Sequence, residues 1–336
     1  MKSIERISSS FTSVEELDIS AFAKMRNRLK DPYFWADWMV VLAFFLVVVV
    51  FGAIAPHNYL TLYNLNNILV ASAIPAIIVV GQTFVVATAG IDLSVSSVMT
   101  LGAVCFGLAF TNGWPLWASS LIGVVAGGIA GALNGVIISK WKINDFIVTL
   151  GMLSVAAGVA LVLSDGSPRQ IISSPLAHLA IGSIANIPYL MIIAIVIALI
   201  AHFALFNTRF GTHVFATGGN EDSARSMGIS VPRIKIAVYT ISGLLAGFAA
   251  TLMISRIGSA EPAANTAILL NSVAAVVLGG VSLFGGRGTI FGPIVATILL
   301  QALTNGLTVI GVAAYYQYVS IGLVVIFSAM LVRTSK

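Results

Sequence analysis

Residues 38–55 read Trp38-Met-Val-Val-Leu-Ala-Phe-Phe-Leu-Val-Val-Val-Val-Phe-Gly-Ala-Ile-Ala55, with no charge, and Pro56-His57-Asn58-Tyr59 ends the run. Wound as a helix, such a stretch rises about 27 Å, close to the ~30 Å hydrocarbon core of a bilayer. The rest of the chain has the same character. Of its 336 residues, 58% are apolar and only 9% charged, whereas a soluble domain holds roughly 45–50% and about 25%. A fold of this size cannot hide so much apolar surface from water. The composition excludes a soluble enzyme, a disordered chain and a single-span anchor.

Further apolar runs cover 66–87, 94–110, 115–139, 146–163, 187–206, 236–255, 268–281, 290–309 and 318–332. They predict an all-α polytopic membrane protein of about ten transmembrane helices. The run 268–281 is too short to cross alone. It meets a glycine-rich break at 282–289, and a second break at 88–93 separates two other runs. The two junctions share a plan, consistent with a weak parallel repeat. Irregular backbone at membrane depth is tolerated only against protein or a water-filled path.

Residues 1–37 form a polar N-terminal tail with six basic and six acidic residues. It lacks the apolar core of a cleavable signal peptide, and an amphipathic stretch is expected to end at Asp31-Pro32. The membrane region is 38–334, and 207–235 is its longest polar loop. Placing the N-terminus in the cytoplasm and alternating sides puts 15 of the 17 Lys and Arg inside; only Arg169 and Arg256 fall outside. The positive-inside rule selects that orientation, with both termini cytoplasmic.

Little in the chain suggests catalysis. Cys105 is the one cysteine and reads as a small core residue. His57, His178, His202 and His213 lack metal-ligand spacing, so no metal site is expected. There is no G-x-x-x-x-G-K-[ST] loop, no G-x-S-x-G and no H-E-x-x-H. Gly123, Gly127, Gly131 and Gly135 recur every four residues, spacing that lets two helix backbones approach closely. Asp92 is the one carboxylate between Asp37 and Asp145. It reads first as a cap on the helix that follows, with a group at a translocation path or gate as the alternative.

Thr208 to Pro232 carries the other signals. Asn220 is a good N-cap, Glu221-Asp222 suit a first turn, and Gly228 followed by Pro232 is a stop. They predict a helix of about two turns from Asn220 to Met227.

Three blocks now carry a resemblance. Phe215-Ala-Thr-Gly-Gly-Asn220 with Ala224-Arg-Ser-Met-Gly-Ile229 is similar to the cytoplasmic coupling loop of ABC importer permeases, closest to the ribose, xylose and galactose-type sugar permeases. Ala89-Gly-Ile-Asp-Leu-Ser-Val95 is similar to that family's G-G-I-D-L-S-V. Ala274 to Thr289, with Gly279-Gly280 and Gly285-Gly286, resembles its A-V-V-I-G-G-T-S-L-x-G-G-x-G-S. The blocks fall in the family's order. Ala89 stands where the family has Gly, and Asn271 lies in a stretch where the family usually has Glu.

The resemblance implies an ABC importer permease fold in the bacterial inner membrane. It implies a homodimer or a heterodimer with a paralogous permease, ABC ATPase subunits below and a periplasmic solute-binding protein above. This chain would hold no cofactor; ATP and Mg would be used by the ATPase. Coupling to the ATPase would fall to Gly218, Gly219, Asn220, Glu221, Ala224, Arg225 and Gly228. Small Ala224 would allow close approach, and Arg225 would pair with an acidic group on the ATPase. Gln82, Asp92, Ser94, Asn134 and Asn271 would supply weak polar contacts along the translocation path. The cargo would be a sugar or sugar-like solute. The runner-up is a branched-chain amino acid permease. A proton-coupled secondary transporter would need a relay of buried titratable groups, and an intramembrane enzyme a catalytic set.

Overall fold

The computed structural model describes residues 32–263 and 266–334. The tail 1–31, with its expected amphipathic stretch, lies outside the described residues. Helix α1 spans Pro32–Ile54, followed by the single turn α2 (Pro56–Tyr59) and then α3 (Leu62–Ala87), α4 (Val95–Thr111), α5 (Leu116–Trp141) and α6 (Asp145–Ser164). Next come α7 (Ser174–Ile181), α8 (Tyr189–Phe206), α9 (Arg209–Gly219), α10 (Glu221–Ser226) and α11 (Val231–Ile257). The chain closes with α12 (Thr266–Leu278), α13 (Phe291–Val309) and α14 (Ala314–Thr334).

Among the described residues, six helices are long and apolar enough to cross a membrane: α3, α5, α6, α8, α11 and α13. Shorter apolar helices cover Met39–Ile54, Val95–Thr111 and Ala267–Leu278. Helix α12 has 13 residues, a rise of about 20 Å, and stops at the glycine break as its length requires.

Helix α3 is buried over nearly all of its last sixteen residues. The flanks of the bundle are apolar and exposed, with Leu46, Val162, Ile200 and Phe203 all on the surface. That pattern suits a lipid solvent rather than water.

The glycine row joins α5 to α11. A Cβ at Gly127 would lie 2.3 Å from Gly243 O, one at Gly131 2.2 Å from Tyr239 O, and one at Gly135 2.6 Å from Ile236 Cα. The partner numbers fall as the glycine numbers rise, so the two helices run antiparallel with backbones touching. Without a hydrophobic force between helices in lipid, such close packing is what holds them together.

Loop 164–188 is more ordered than a polar loop needs to be. It holds α7 and three strands, β1 (Arg169–Gln170), β2 (Ser183–Ile184) and β3 (Ile187–Pro188). Strands β2 and β3 pair across Ala185 and Asn186, both at positive φ, as a tight two-residue hairpin requires. Strand β1 pairs with β4 (Ser259–Ala260), just beyond the end of α11.

Loop 207–235 also differs from expectation, because α9 precedes the predicted short helix. Its Gly211, Val214, Thr217 and Gly218 form a buried face.

Candidate functional site

The breaks and the loop before α11 are assembled by backbone contact. Helix α3 ends at Ala87, where Gly90 N donates to Val85 O (3.1 Å) and Ala89 N to Val86 O (2.9 Å). This reversal puts Ala89 at φ +59°, a conformation that costs an L-residue roughly 1–2 kcal/mol and that glycine adopts freely. Gly90 is crowded as well: a Cβ there would lie 2.9 Å from the Tyr239 hydroxyl and 3.1 Å from Val85 O.

Gly286 N, in the break between α12 and α13, donates to Ala87 O (3.1 Å). The end of α9 wedges against the same point. A Cβ on Gly218 would sit 1.9 Å from Ala87 O and 2.7 Å from Gly286 N, and one on Gly285 2.7 Å from Ala89 N. The three sequence blocks, up to about 200 residues apart along the chain, therefore meet at one contact made of glycine and main chain.

Beyond it, the segment Ile91 to Ser94 is tied down on every side. Asp92 is 3% exposed. Its Oδ1 accepts from Ser94 N (2.9 Å) and Ser94 Oγ (2.7 Å), and its Oδ2 accepts from Ser242 Oγ (2.9 Å) on α11. Gln82 Nε2 donates to Asp92 O (2.6 Å), and Asn134 Nδ2 on α5 donates to Ser94 Oγ (2.9 Å). Ile91 is fixed likewise: its N donates to Asp145 Oδ2 (3.2 Å), and its O accepts from Tyr239 Oη (3.2 Å) and Thr149 Oγ1 (3.3 Å).

The structure thus brings together Gln82, Asp92, Ser94 and Asn134. All four are buried in a closed knot. Asn134 Oδ1 and Ser96 Oγ are buried there without a partner among the described residues. Asp92 does meet one amide just ahead of α4, but two of its three donors are hydroxyls, so it works more as a cross-link between α4 and α11 than as a cap. Asn271 is not part of the knot. It lies on α12, half-buried. Sequence reasoning missed Ser242, Tyr239 and Thr149. Each is a polar residue inside an apolar run, a signal that does not say which partner it faces.

At the surface end of the assembly, Asn220 Oδ1 accepts from Ser223 N (2.7 Å) and starts α10. Glu221 pairs with Arg225 (3.2 Å) and with Lys235. Ala224 is fully buried against the chain's own body. This corrects the expectation that it faces a partner: the small side chain seats α10 on the bundle. Gly228 has φ +83° and ends the turn. Met227 (70% exposed), Asp222 and Arg225 form the outer surface, and Gly219 and Asn220 are exposed beside them.

Because α11 runs about 40 Å over its 27 residues, its far end lies across the bundle. There a cavity of about 540 Å³ is lined by Met99 and Thr100 of α4, Met253 of α11, Ser259, Glu261 and Tyr318. Among the described residues no cluster of three His, Cys, Asp or Glu could hold a metal ion.

A multi-span bundle with two glycine breaks and a helical loop locked to both defines an integral-membrane transport component. The chain belongs to the family described as branched-chain amino acid transport system / permease component, matching it over residues 64–329. It is 38% identical over 317 residues to the ribose import permease protein RbsC of Escherichia coli (strain K12), covering 90% of this chain and 97% of that protein. It is 34% identical over 309 residues to the D-allose transport system permease protein AlsC of the same strain, covering 90% and 95%. The fructose import permease protein FrcC of Rhizobium meliloti is 33% identical over 296 residues, covering 85% and 82%. No solved structure matches the chain.

Proposed function

We propose that this chain is the membrane-spanning permease subunit of an ATP-driven importer for a sugar or sugar-like solute. It would sit in the bacterial inner membrane with both ends in the cytoplasm and pair with a second permease, either its own copy or a paralogue. A separate ABC ATPase would use ATP and Mg, and a periplasmic binding protein would deliver the cargo. The sugar names of the relatives favour this cargo over the branched-chain amino acids of the family description.

One observation carries the reading: Gly218 touches Ala87 and Gly286 together. A force on α9 and α10 would reach both broken junctions without a soft side chain between. ATP binding would then bias two packings of the bundle through a rigid lever. Gly219, Asn220 and Gly228 shape that lever, and Glu221 braces it. Asp222, Arg225 and Met227 offer the surface for the ATPase. The knot of Gln82, Asp92, Ser94 and Asn134 would be the plug that this motion loosens, with Asn271 a polar step near it.

The test is reconstitution with the ATPase and binding protein from the same operon. The complex should accumulate one of ribose, allose or fructose when ATP is supplied, and not leucine. Met227→Glu and Asp222→Lys together should leave membrane abundance near normal and abolish uptake and binding-protein-stimulated ATP hydrolysis. Unchanged coupled hydrolysis and uptake in that variant would sink the coupling assignment.

A further inference from the structure

We infer that His202 is a positioning residue for coupling. With Phe206, Phe215 and Phe291 it forms a chain of rings that ties α9 to the first turn of α13, a second route from the lever to the glycine break. The inference rests on the permease reading above.

Apart from Tyr189 at its start, His202 is the one polar side chain of α8. A polar ring in such a run costs free energy at membrane depth and calls for a reason. It lies one turn before Phe206, so the two side chains share a face. Their ring centroids are 4.7 Å apart, tilted by 32°. The imidazole also meets Phe291, at 4.9 Å and 44°. Phe206 in turn meets Phe215 of α9, at 5.7 Å and 51°. All three separations fall within the ~4.5–7 Å of attractive ring pairs.

The two ends of this chain are placed for coupling. Phe291 is the first residue of α13, where the break ends. Phe215 lies on α9 one turn before Gly218, and Gly218 meets the middle of the same break at Gly285 and Gly286. The break is thus held at its middle by main chain and at its end by rings, both from α9. A shift of α9 moves the two points together, so the segment travels as one piece and takes the start of α13 with it. At the other end of α9, Phe210 sits 6.2 Å from Phe84 in the last turn of α3, which seats the lever on the first junction.

His202 Nδ1 is buried without a hydrogen-bond partner among the described residues. The ring is therefore placed by stacking and not by a bond at that atom. Another flat ring should replace it, and a polar chain of similar length should not. Phe206 and Phe291 are 46% and 42% exposed, so truncating Phe291 takes little from the core.

The test uses the reconstituted complex, with uptake expressed per ATP hydrolysed and co-purification of the ATPase reporting assembly. His202→Ala and Phe291→Ala should each cut the sugar accumulated per ATP by about three- to thirtyfold, the span of coupling changes for residues between two sites. Binding-protein-stimulated hydrolysis should persist, because the outer surface of α10 is untouched. The double variant should be no worse than either single one, since both remove the same contact. His202→Phe should recover most of the coupling, and His202→Gln should not. Unchanged sugar per ATP in both alanine variants overturns the inference. An equal loss in His202→Phe overturns it too. So does a joint fall of uptake, hydrolysis and assembly, which would make the rings ordinary packing. In each of these cases the permease reading stands as long as the unaltered complex accumulates ribose, allose or fructose. If it accumulates none of them, that reading has failed and takes the role of His202 with it.

Discussion

Asp92 shows how a charge-bearing group can live at membrane depth without a counter-ion. Three donors face its two oxygens: Ser94 N, Ser94 Oγ and Ser242 Oγ. These hydrogen bonds offset part of the cost of burying the carboxylate. The role needs acceptor oxygens more than it needs charge. Asp92→Asn keeps one oxygen for Ser94, and the Ser242 hydroxyl can turn to accept from the new amide. Asp92→Leu strands all three donors in a dry site, at about 1–3 kcal/mol for each unsatisfied group. The Leu variant should show the lower melting temperature in detergent and the lower membrane abundance, with Asn close to wild type. Equal loss of uptake in both, at equal abundance, would show that transport needs the charge itself.

At the scale of helices, the α5–α11 contact decides the bundle. Gly131→Ala places a methyl 2.2 Å from Tyr239 O, a backbone atom that cannot move alone. The helices must part by about 1 Å, and overpacking of this kind costs roughly 1–3 kcal/mol. Gly151→Ala on α6 is the control, since nothing lies within 4 Å of the added Cβ and Ala is favoured over Gly in a helix by about 1 kcal/mol. A clear drop in melting temperature is expected for the first, and no drop for the second; matching shifts would mean the row is not a contact surface. This contact was legible in advance, because a four-residue glycine period has one strong physical meaning in lipid. The all-helical, multi-span character was legible too, because apolar length is read against bilayer thickness; of the ten expected spans, six are helices long and apolar enough to cross among the described residues. Helix α9 was not. Its buried face is Gly211, Val214, Thr217 and Gly218, residues that look like loop composition until the main chain of Ala87 is seen beside Gly218. The inward turn of Ala224 was hidden for the same reason: smallness suits a contact, but does not say with which surface. The knot was half legible, since polar residues in apolar runs are conspicuous one by one and only the fold pairs them.

Across the whole molecule, charge sorts by end. Lys140, Lys142, Arg209, Arg225, Arg233, Lys235 and Arg287 lie on the loops and helix ends around α9 and α10. Arg256 closes the far end of α11, and Arg169 is on β1, paired with β4 beyond it. The β2–β3 hairpin precedes α8 and α10 follows it, so one crossing separates Ile184 from Met227, both well exposed. The positive-inside rule predicts that the basic end faces the cytoplasm. On the proposed topology, counting back from Met227 through α8, α6, α5, α4, α3 and α1 puts the start of α1 on that same side. Counting forward through α11, α12, α13 and α14 does the same for the C-terminus. Ten crossings follow only if α1, α4, α12 and α14, none of them among the six long apolar helices, each count as one, which makes sidedness a test of the glycine breaks as well. In a Cys105→Ser background, a membrane-impermeant thiol reagent on intact cells should label Ile184→Cys. It should label Met227→Cys only after permeabilisation, and a cysteine added at the C-terminus only then as well. Labelling of the C-terminal cysteine in intact cells would mean an odd number of crossings after α10. The junction between α12 and α13 would then be a re-entrant loop rather than a joint between spans, and the lever through Gly218 would have to move it differently.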